Sequence, residues 1–270
     1  MQGRDYALVA VLAAFALFIW VRDTTWIASA ADTLPILAAV PLFFWLGAPW
    51  AWNKKTRPLS EYLLLISAFL FVLGILLDLT LLLAASWTIL FWAALSTWSA
   101  DSEHSSMLKL LILPMMAFPW IALDANSVGW WFRLSGAWAT GTFFSLLGSQ
   151  VVQQGTSLVV DGLLISVEAA CSGMNTLQSI LIAGTVVAYI FLKDTPRFWW
   201  SLPIIGILAW ASNTARIIGL SAAALLVSPE FALGLFHTWG GWLILLVMFL
   251  LCWLAFSLLE PKEPTNPKHD

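Results

Sequence analysis

The sequence predicts an all-α polytopic membrane protein with about eight transmembrane helices, an interfacial helix and a small extracytoplasmic β-hairpin. Three observations carry this. The chain is 61% hydrophobic and 10% charged, where a soluble domain has about 25% charged residues. Its mean hydropathy is +0.89. Nine apolar runs of near-membrane length follow one another, near 7–21, 33–52, 62–78, 80–99, 107–123, 131–149, 171–192, 199–226 and 238–259. Many of the 18 tryptophans, including Trp20, Trp50, Trp98, Trp130, Trp131, Trp199 and Trp200, fall at the ends of these runs. That placement suits anchoring at the lipid–water boundary.

The first run, 7–21, follows Arg4, and Ala28-Ser29-Ala30 resembles a signal-peptide cleavage site. Arg22 and Asp23 separate run from site, so an uncleaved first span is expected. Prolines 35, 41, 49, 114, 119 and 203 are compatible with membrane helices whose neighbours satisfy the freed backbone. No internal repeat divides the chain. Residues 1–270 read as one multi-span domain whose catalytic part covers about 150–245, followed by a polar cytoplasmic tail over 260–270.

Lysine and arginine in short loops set the sidedness. Lys54, Lys55 and Arg57, then Lys193 and Arg197, then Lys262 and Lys268 mark three cytoplasmic regions. This places Cys171 and His237 on the outer side, in a cytoplasmic (inner) membrane. Nine crossings would bring the chain to Cys171 on the wrong side, so one run does not cross. The weakest is 131–149, which holds Arg133, Ser135, Thr140, Thr142, Ser145 and three glycines. A helix lying in the outer interface, or re-entering the membrane, suits it. A single crossing over 62–99 would also restore the count. Between 150 and 168, Ser157-Leu-Val-Val-Asp161-Gly162-Leu-Leu-Ile-Ser166 reads as a hairpin, because Asp-Gly suits a type I′ turn. It serves either as a connector or as an edge that pairs with an extended peptide.

Net charge is −3 and no basic patch points to nucleic acid. No H-E-x-x-H motif is present, and no metal or cofactor is expected. Three clusters stand out instead: Glu168-Ala-Ala-Cys171-Ser172-Gly-Met, Asn213-Thr-Ala-Arg216 and His237-Thr-Trp-Gly-Gly-Trp242. Polar groups in such apolar surroundings are functional suspects.

Cys171 opens a span, where free N–H groups and the helix dipole favour a thiolate; the alternative is an inert buried thiol. Arg216 lies within a long apolar run and needs a partner, with Glu168 its structural option. Asn213 is one turn away on the same face and able to orient it. His237 opens the last span and exchanges protons near neutral pH; the alternative is interfacial anchoring. Ser172 is the rival nucleophile. Cys252 lies about 22 Å further along a helix than His237, so no bridge to Cys171 is expected. A thiol attacking a carbonyl needs a base and an oxyanion stabiliser, and the clusters supply each once.

Ala170-Cys171-Ser172-Gly173, the Asn213/Arg216 pair and His237 followed by Gly241-Trp242, in this order on successive spans, resemble the exosortase/archaeosortase family of membrane protein-sorting enzymes. The resemblance covers about 150–245. It implies cleavage of a C-terminal sorting signal on exported proteins, through a Cys171 thioester, and transfer to an acceptor or water. It implies Arg216 as oxyanion stabiliser and His237 as acid/base. Many exosortases carry an arginine shortly after Cys-Ser-Gly; here Met174-Asn175 stands there, which bears on subtype and sorting motif. The competing class is a transporter or an assembly protein without catalysis. Repeated halves and a path of intramembrane carboxylates, which would mark a transporter, are not found.

Overall fold

The computed structural model describes residues 3–28, 30–52, 58–124, 130–166, 174–232, 234 and 237–260. The helices are α1 (Gly3–Arg22), α2 (Ala30–Gly47), α3 (Glu61–Leu76), α4 (Thr80–Trp98), α5 (His104–Leu110), α6 (Ile112–Met116) and α7 (Trp120–Leu123). After these come α8 (Trp130–Leu146), α9 (Met174–Leu192), α10 (Phe198–Leu226), α11 (Pro229–Phe231) and α12 (His237–Leu259). Three strands, β1 (Val151–Gln154), β2 (Ser157–Val160) and β3 (Leu163–Ser166), lie between α8 and α9. Gly3–Arg22, Thr80–Trp98, Phe198–Leu226 and Trp242–Leu259 are long and apolar enough to cross a membrane. Thr33–Gly47, Glu61–Leu76 and Leu177–Leu192 are shorter apolar helices. The polytopic all-α class expected from the sequence is therefore the class observed.

Backbone and side-chain bonds sort the helix ends into two levels. At the first, Trp98 Nε1 donates to Asp5 Oδ1 at 3.3 Å, and Ala100 N to the Ala51 carbonyl at 3.0 Å. There too, Arg197 Nη1 donates to the Leu259 carbonyl at 2.9 Å, and buried Lys109 reaches the carbonyls of Lys193 and Thr195. This level carries Lys109, Lys193 and Arg197 and is called the basic end below. The far end holds the α3–α4 turn, where Asp78 (φ 54°) pairs with Arg22. Buried Asp124 caps α4 there, accepting from Thr80 N at 3.0 Å and Leu81 N at 2.6 Å. A carboxylate suits that position, because the first N–H groups of a helix lack partners and its dipole is positive there.

Close packing fixes the pairs. In the α3–α4 hairpin, a Cβ at Gly74 would stand 2.9 Å from Leu83 Cδ2. Ser67 and Ser86 exchange hydroxyl-to-carbonyl bonds of 2.9 and 2.8 Å across the same contact. The run expected as one helix over 107–123 is instead three pieces, α5, α6 and α7. Pro119 offers no N–H to continue α6. The carbonyls of Met116 and Ala117 accept from Gln178 Nε2 (3.0 Å) and Trp20 Nε1 (2.9 Å) instead.

The stretch 131–149 holds α8, which is not among the apolar helices of the described residues. Trp210 Nε1 donates to Ser135 Oγ at 3.0 Å. Gly136 faces Asn213, Thr214 and Ile217. Ala137 and Phe144 share a small core with Ile217, Ala222 and Leu225. The later residues of α8 thus meet the later residues of α10, so the two helices run in the same direction. α8 starts level with the middle of α10 and points away from the basic end. At 29 residues, α10 exceeds α4 by ten residues, or about 15 Å. Its last turns, α8 and the sheet form a cap at the far end.

The expected hairpin is present with a third strand: the sheet is an antiparallel meander, β1-β2-β3. Asp161 (φ 49°) and Gly162 (φ 85°) make the β2–β3 turn with two left-handed residues, as type I′ requires. Asp161 also accepts from Gln150 N at 2.8 Å. Leu158 and Val160 are fully buried against α8 and α10. Gly141 permits that approach; a Cβ there would lie 3.2 Å from Leu158 Cδ2 and 3.3 Å from Val151 Cγ1.

Candidate active site

Residues of α10 pack on α9, α12 and α8, and two of its stripes bear on the site. Ile205, Ala209, Ser212 and Arg216 recur at four- and three-residue steps and form one stripe. Gly184 of α9 fixes which neighbour this stripe meets, since a Cβ there would lie 2.9 Å from Ile205 Cγ1. Trp210, Thr214 and Ile217 form the second stripe, turned to α8. Asn213 lies between the stripes, 1% exposed and close to Gly136.

α9 and α10 are antiparallel, since both come to the basic end at the 192–198 turn. Seven residues from the Gly184–Ile205 contact, Ser212 lies level with Leu177. One further turn brings half-buried Arg216 to the level where α9 begins, at Met174. α12 runs parallel to α9, and the rings of Phe191 and Trp253 meet edge to face at 4.9 Å between centroids. Sixteen residues before that contact on each helix stand Asn175 and His237. The first turn of α9, Arg216 of α10 and the first residue of α12 therefore share one level at the far end. On α12, position 237 continues the stripe of Gly241, Leu245, Met248, Cys252 and Phe256, of which the last three are buried. Trp239 and Trp242 lie on the exposed face, at 69% and 66%.

Cys171, Ser172 and Glu168 lie outside the described residues, as do Lys54, Lys55 and Arg57. The side chains of Asn175 and His237 are also outside what the structure describes. Cys171 is three residues before Met174 in the sequence, and Glu168 is two after Ser166, the end of β3. The expected Asn213–Arg216 contact is not formed: Asn213 Oδ1 and Nδ2 have no hydrogen-bond partner among the described residues. Asn213 turns toward α8, because a three-residue step on a helix rotates a side chain by roughly 60° from its neighbour. Cys252 is buried and unbridged, as expected.

Sequence reasoning missed the α8 side of this region. In the sequence Arg133 marks only the weakness of 131–149 as a crossing. It is 9% exposed and lies on the face of Gly136, Ala137 and Thr140 that packs on α10. The i, i+3, i+4, i+7 spacing of these four residues was the available signal. A cavity of about 600 Å³ between α1, α3 and α4, lined by Phe15, Leu64, Phe71 and Leu90 among others, is apolar and lies among other helices.

The family model described as Transmembrane exosortase (Exosortase_EpsH) matches residues 2–254. Comparison with curated proteins finds no match, and comparison with solved structures finds none.

Proposed function

The chain therefore belongs to the transmembrane exosortase family, and on that premise we propose that it is a cysteine transpeptidase or protease acting at the outer face of the cytoplasmic membrane. Family membership supports a membrane role of the transpeptidase or protease kind in general. The observation that carries the finer reading is the shared level of the α9 start, Arg216 and His237, at the end opposite Lys109, Lys193 and Arg197. Lysine and arginine mark the cytoplasmic side, so the shared level is the outer one.

The substrate is an exported protein with a C-terminal sorting signal, whose apolar tail lies among the spans and whose basic end points to the cytoplasm. The Cys171 thiol gives its proton to His237 and its sulfur attacks the scissile carbonyl carbon. Arg216 donates to the oxygen as negative charge develops there, which stabilises the transition state more than the ground state. The C–N bond breaks, His237 returns the proton to the leaving amine, and the tail departs. An amine acceptor or water then attacks the thioester and frees the thiol. Glu168 and Ser172 flank the nucleophile, and Asn175 follows it into α9. No cofactor takes part, and the acceptor is a lipid, a glycan or water.

The test uses an exported reporter with a C-terminal apolar tail and a basic end, drawn from the host's own exported proteins. Cys171→Ala is expected to leave the reporter uncleaved in the membrane while the enzyme remains folded. Arg216→Lys is expected to fail too, since lysine lacks the planar fork. Normal processing by Cys171→Ala contradicts the reading. Tolerance of Cys171→Ser, Arg216→Gln and His237→Gln together would favour a non-catalytic assembly role.

A further inference from the structure

α8 and α10 bury between them a polar cluster that the thioester chemistry does not use. Arg133 and Thr140 come from α8, Asn213 and Thr214 from α10. They are 9%, 0%, 1% and 7% exposed. Among the described residues, Arg133 Nε, Thr140 Oγ1, Thr214 Oγ1 and both polar atoms of Asn213 have no hydrogen-bond partner. The helices meet at Gly136, where a Cβ would stand 3.7 Å from Thr214 Oγ1 and 3.9 Å from Asn213 Nδ2. Arg133 and Thr140 flank Gly136 by one turn on either side of the same helix face.

A buried guanidine Nε–H, a carboxamide and two hydroxyls without partners among the described residues are each costly, and nothing in packing alone calls for them. Their hydrogen-bonding inventory says what would satisfy them. The guanidinium only donates, the carboxamide donates and accepts, and each hydroxyl does both. A carboxylate or phosphate only accepts, and would leave Asn213 Oδ1 without a donor. Peptide groups bring a carbonyl and an N–H at a regular spacing and match the whole set.

We infer that Arg133, Thr140, Asn213 and Thr214 bind main-chain peptide groups of the substrate, on the tail side of the scissile bond. The inference rests on the reading above. Position along α10 decides the side. Arg133 stands about one turn nearer the basic end than Gly136, which faces Asn213 and Thr214, and so near the level of Trp210, whose indole bonds Ser135. That is about five residues nearer the basic end than Arg216, or about 7 Å. The tail, directed toward the basic end, passes this level after leaving Arg216. Asn213, one turn before Arg216, is the link between the two subsites. Binding here holds the scissile carbonyl in register, so these are positioning residues, and their loss acts on affinity before it acts on rate.

The experiment compares Arg133→Met in the full-length protein with the natural residue. Binding is read as co-purification of the tail-bearing reporter with enzyme carrying Cys171→Ala, so a failure of the thioester chemistry leaves this arm intact. Arg133→Met is expected to lower reporter capture about tenfold or more. On the catalytic background, its processing defect is expected to recover when the reporter is overproduced, whereas that of Arg216→Lys is not. The melting temperature of Arg133→Met is expected to stay level or rise, because a buried polar group without a hydrogen-bond partner among the described residues is exchanged for a shorter apolar chain. A lower melting temperature would make Arg133 a satisfied structural cation and overturn the inference. So would undiminished reporter capture. A reporter that never associates with either protein contradicts both this inference and the reading it rests on. Processing of the reporter without any need for Cys171 contradicts only the latter.

Discussion

Lys109 and Arg133 are both buried cations on helices that lie between α4 and the sheet in the chain, 4% and 9% exposed, and they are held in opposite ways. Lys109 sits at the basic end with its ammonium on the carbonyls of Lys193 and Thr195 and its charge 5.8 Å from the Phe198 ring centroid. Those carbonyls follow the last turn of α9, where the helix dipole favours a cation. The lysine closes a helix end and pins α5 to the α9–α10 turn. Arg133 lies where α8 meets the middle of α10, beside other polar atoms without partners among the described residues. One cation is consumed by the fold. The other is held ready by it, and the same division separates the basic end from the far end, where Arg216 and the starts of α9 and α12 share a level.

The largest expected effect tests the consumed cation. Lys109→Met should lower stability by about 1.5–3 kcal/mol, the usual worth of hydrogen bonds to a charged group, with the loss read by thermal unfolding of the purified protein. A neutral outcome would erase the contrast with Arg133→Met. Next, Gly184→Ala places a methyl group 2.9 Å from Ile205 Cγ1. Overpacking of this kind costs about 1–3 kcal/mol. It should also part α9 from α10 and so move the α9 start away from Arg216. Processing should therefore fall further than the loss of stability explains, measured as reporter cleavage at matched amounts of folded enzyme. The smallest effect belongs to Asp124→Ala, which removes the cap on Thr80 N and Leu81 N. About 0.5–2 kcal/mol is expected, seen as faster hydrogen exchange in the first turn of α4, with Lys109 and the basic end unaffected.

The sequence made some of this contrast legible and hid the rest for physical reasons. Charge counting singles out 131–149 as the weakest crossing, with a single crossing over 62–99 as the alternative, and α8 runs beside the second half of α10. It could not say that α8 points away from the basic end, because direction depends on contacts such as Ser135–Trp210. The Asp161-Gly162 turn was plain from local chemistry. β1 was not, since Val151-Val152-Gln153-Gln154 does not alternate and becomes a strand only by pairing with β2. The break of 107–123 into three pieces follows from Pro114 and Pro119, but its tolerance depends on Gln178 and Trp20 reaching the freed carbonyls. Arg216 and Asn213 looked like partners because they lie three residues apart. In three dimensions Asn213 belongs with Gly136 and the α8 cluster. Periodicity shows which residues share a face, and only packing shows what that face meets.

The central claim is that Cys171 carries the acyl group of a cleaved exported protein beside Arg216 and His237. Mass spectrometry of the enzyme isolated from cells producing the tail-bearing reporter tests it most directly. The account predicts a fragment of the reporter, ending at the cleavage site, attached to Cys171 and released by hydroxylamine as a thioester should be. A reporter cleaved at the normal rate with Cys171 unmodified, or with the fragment attached to Ser172, would contradict it.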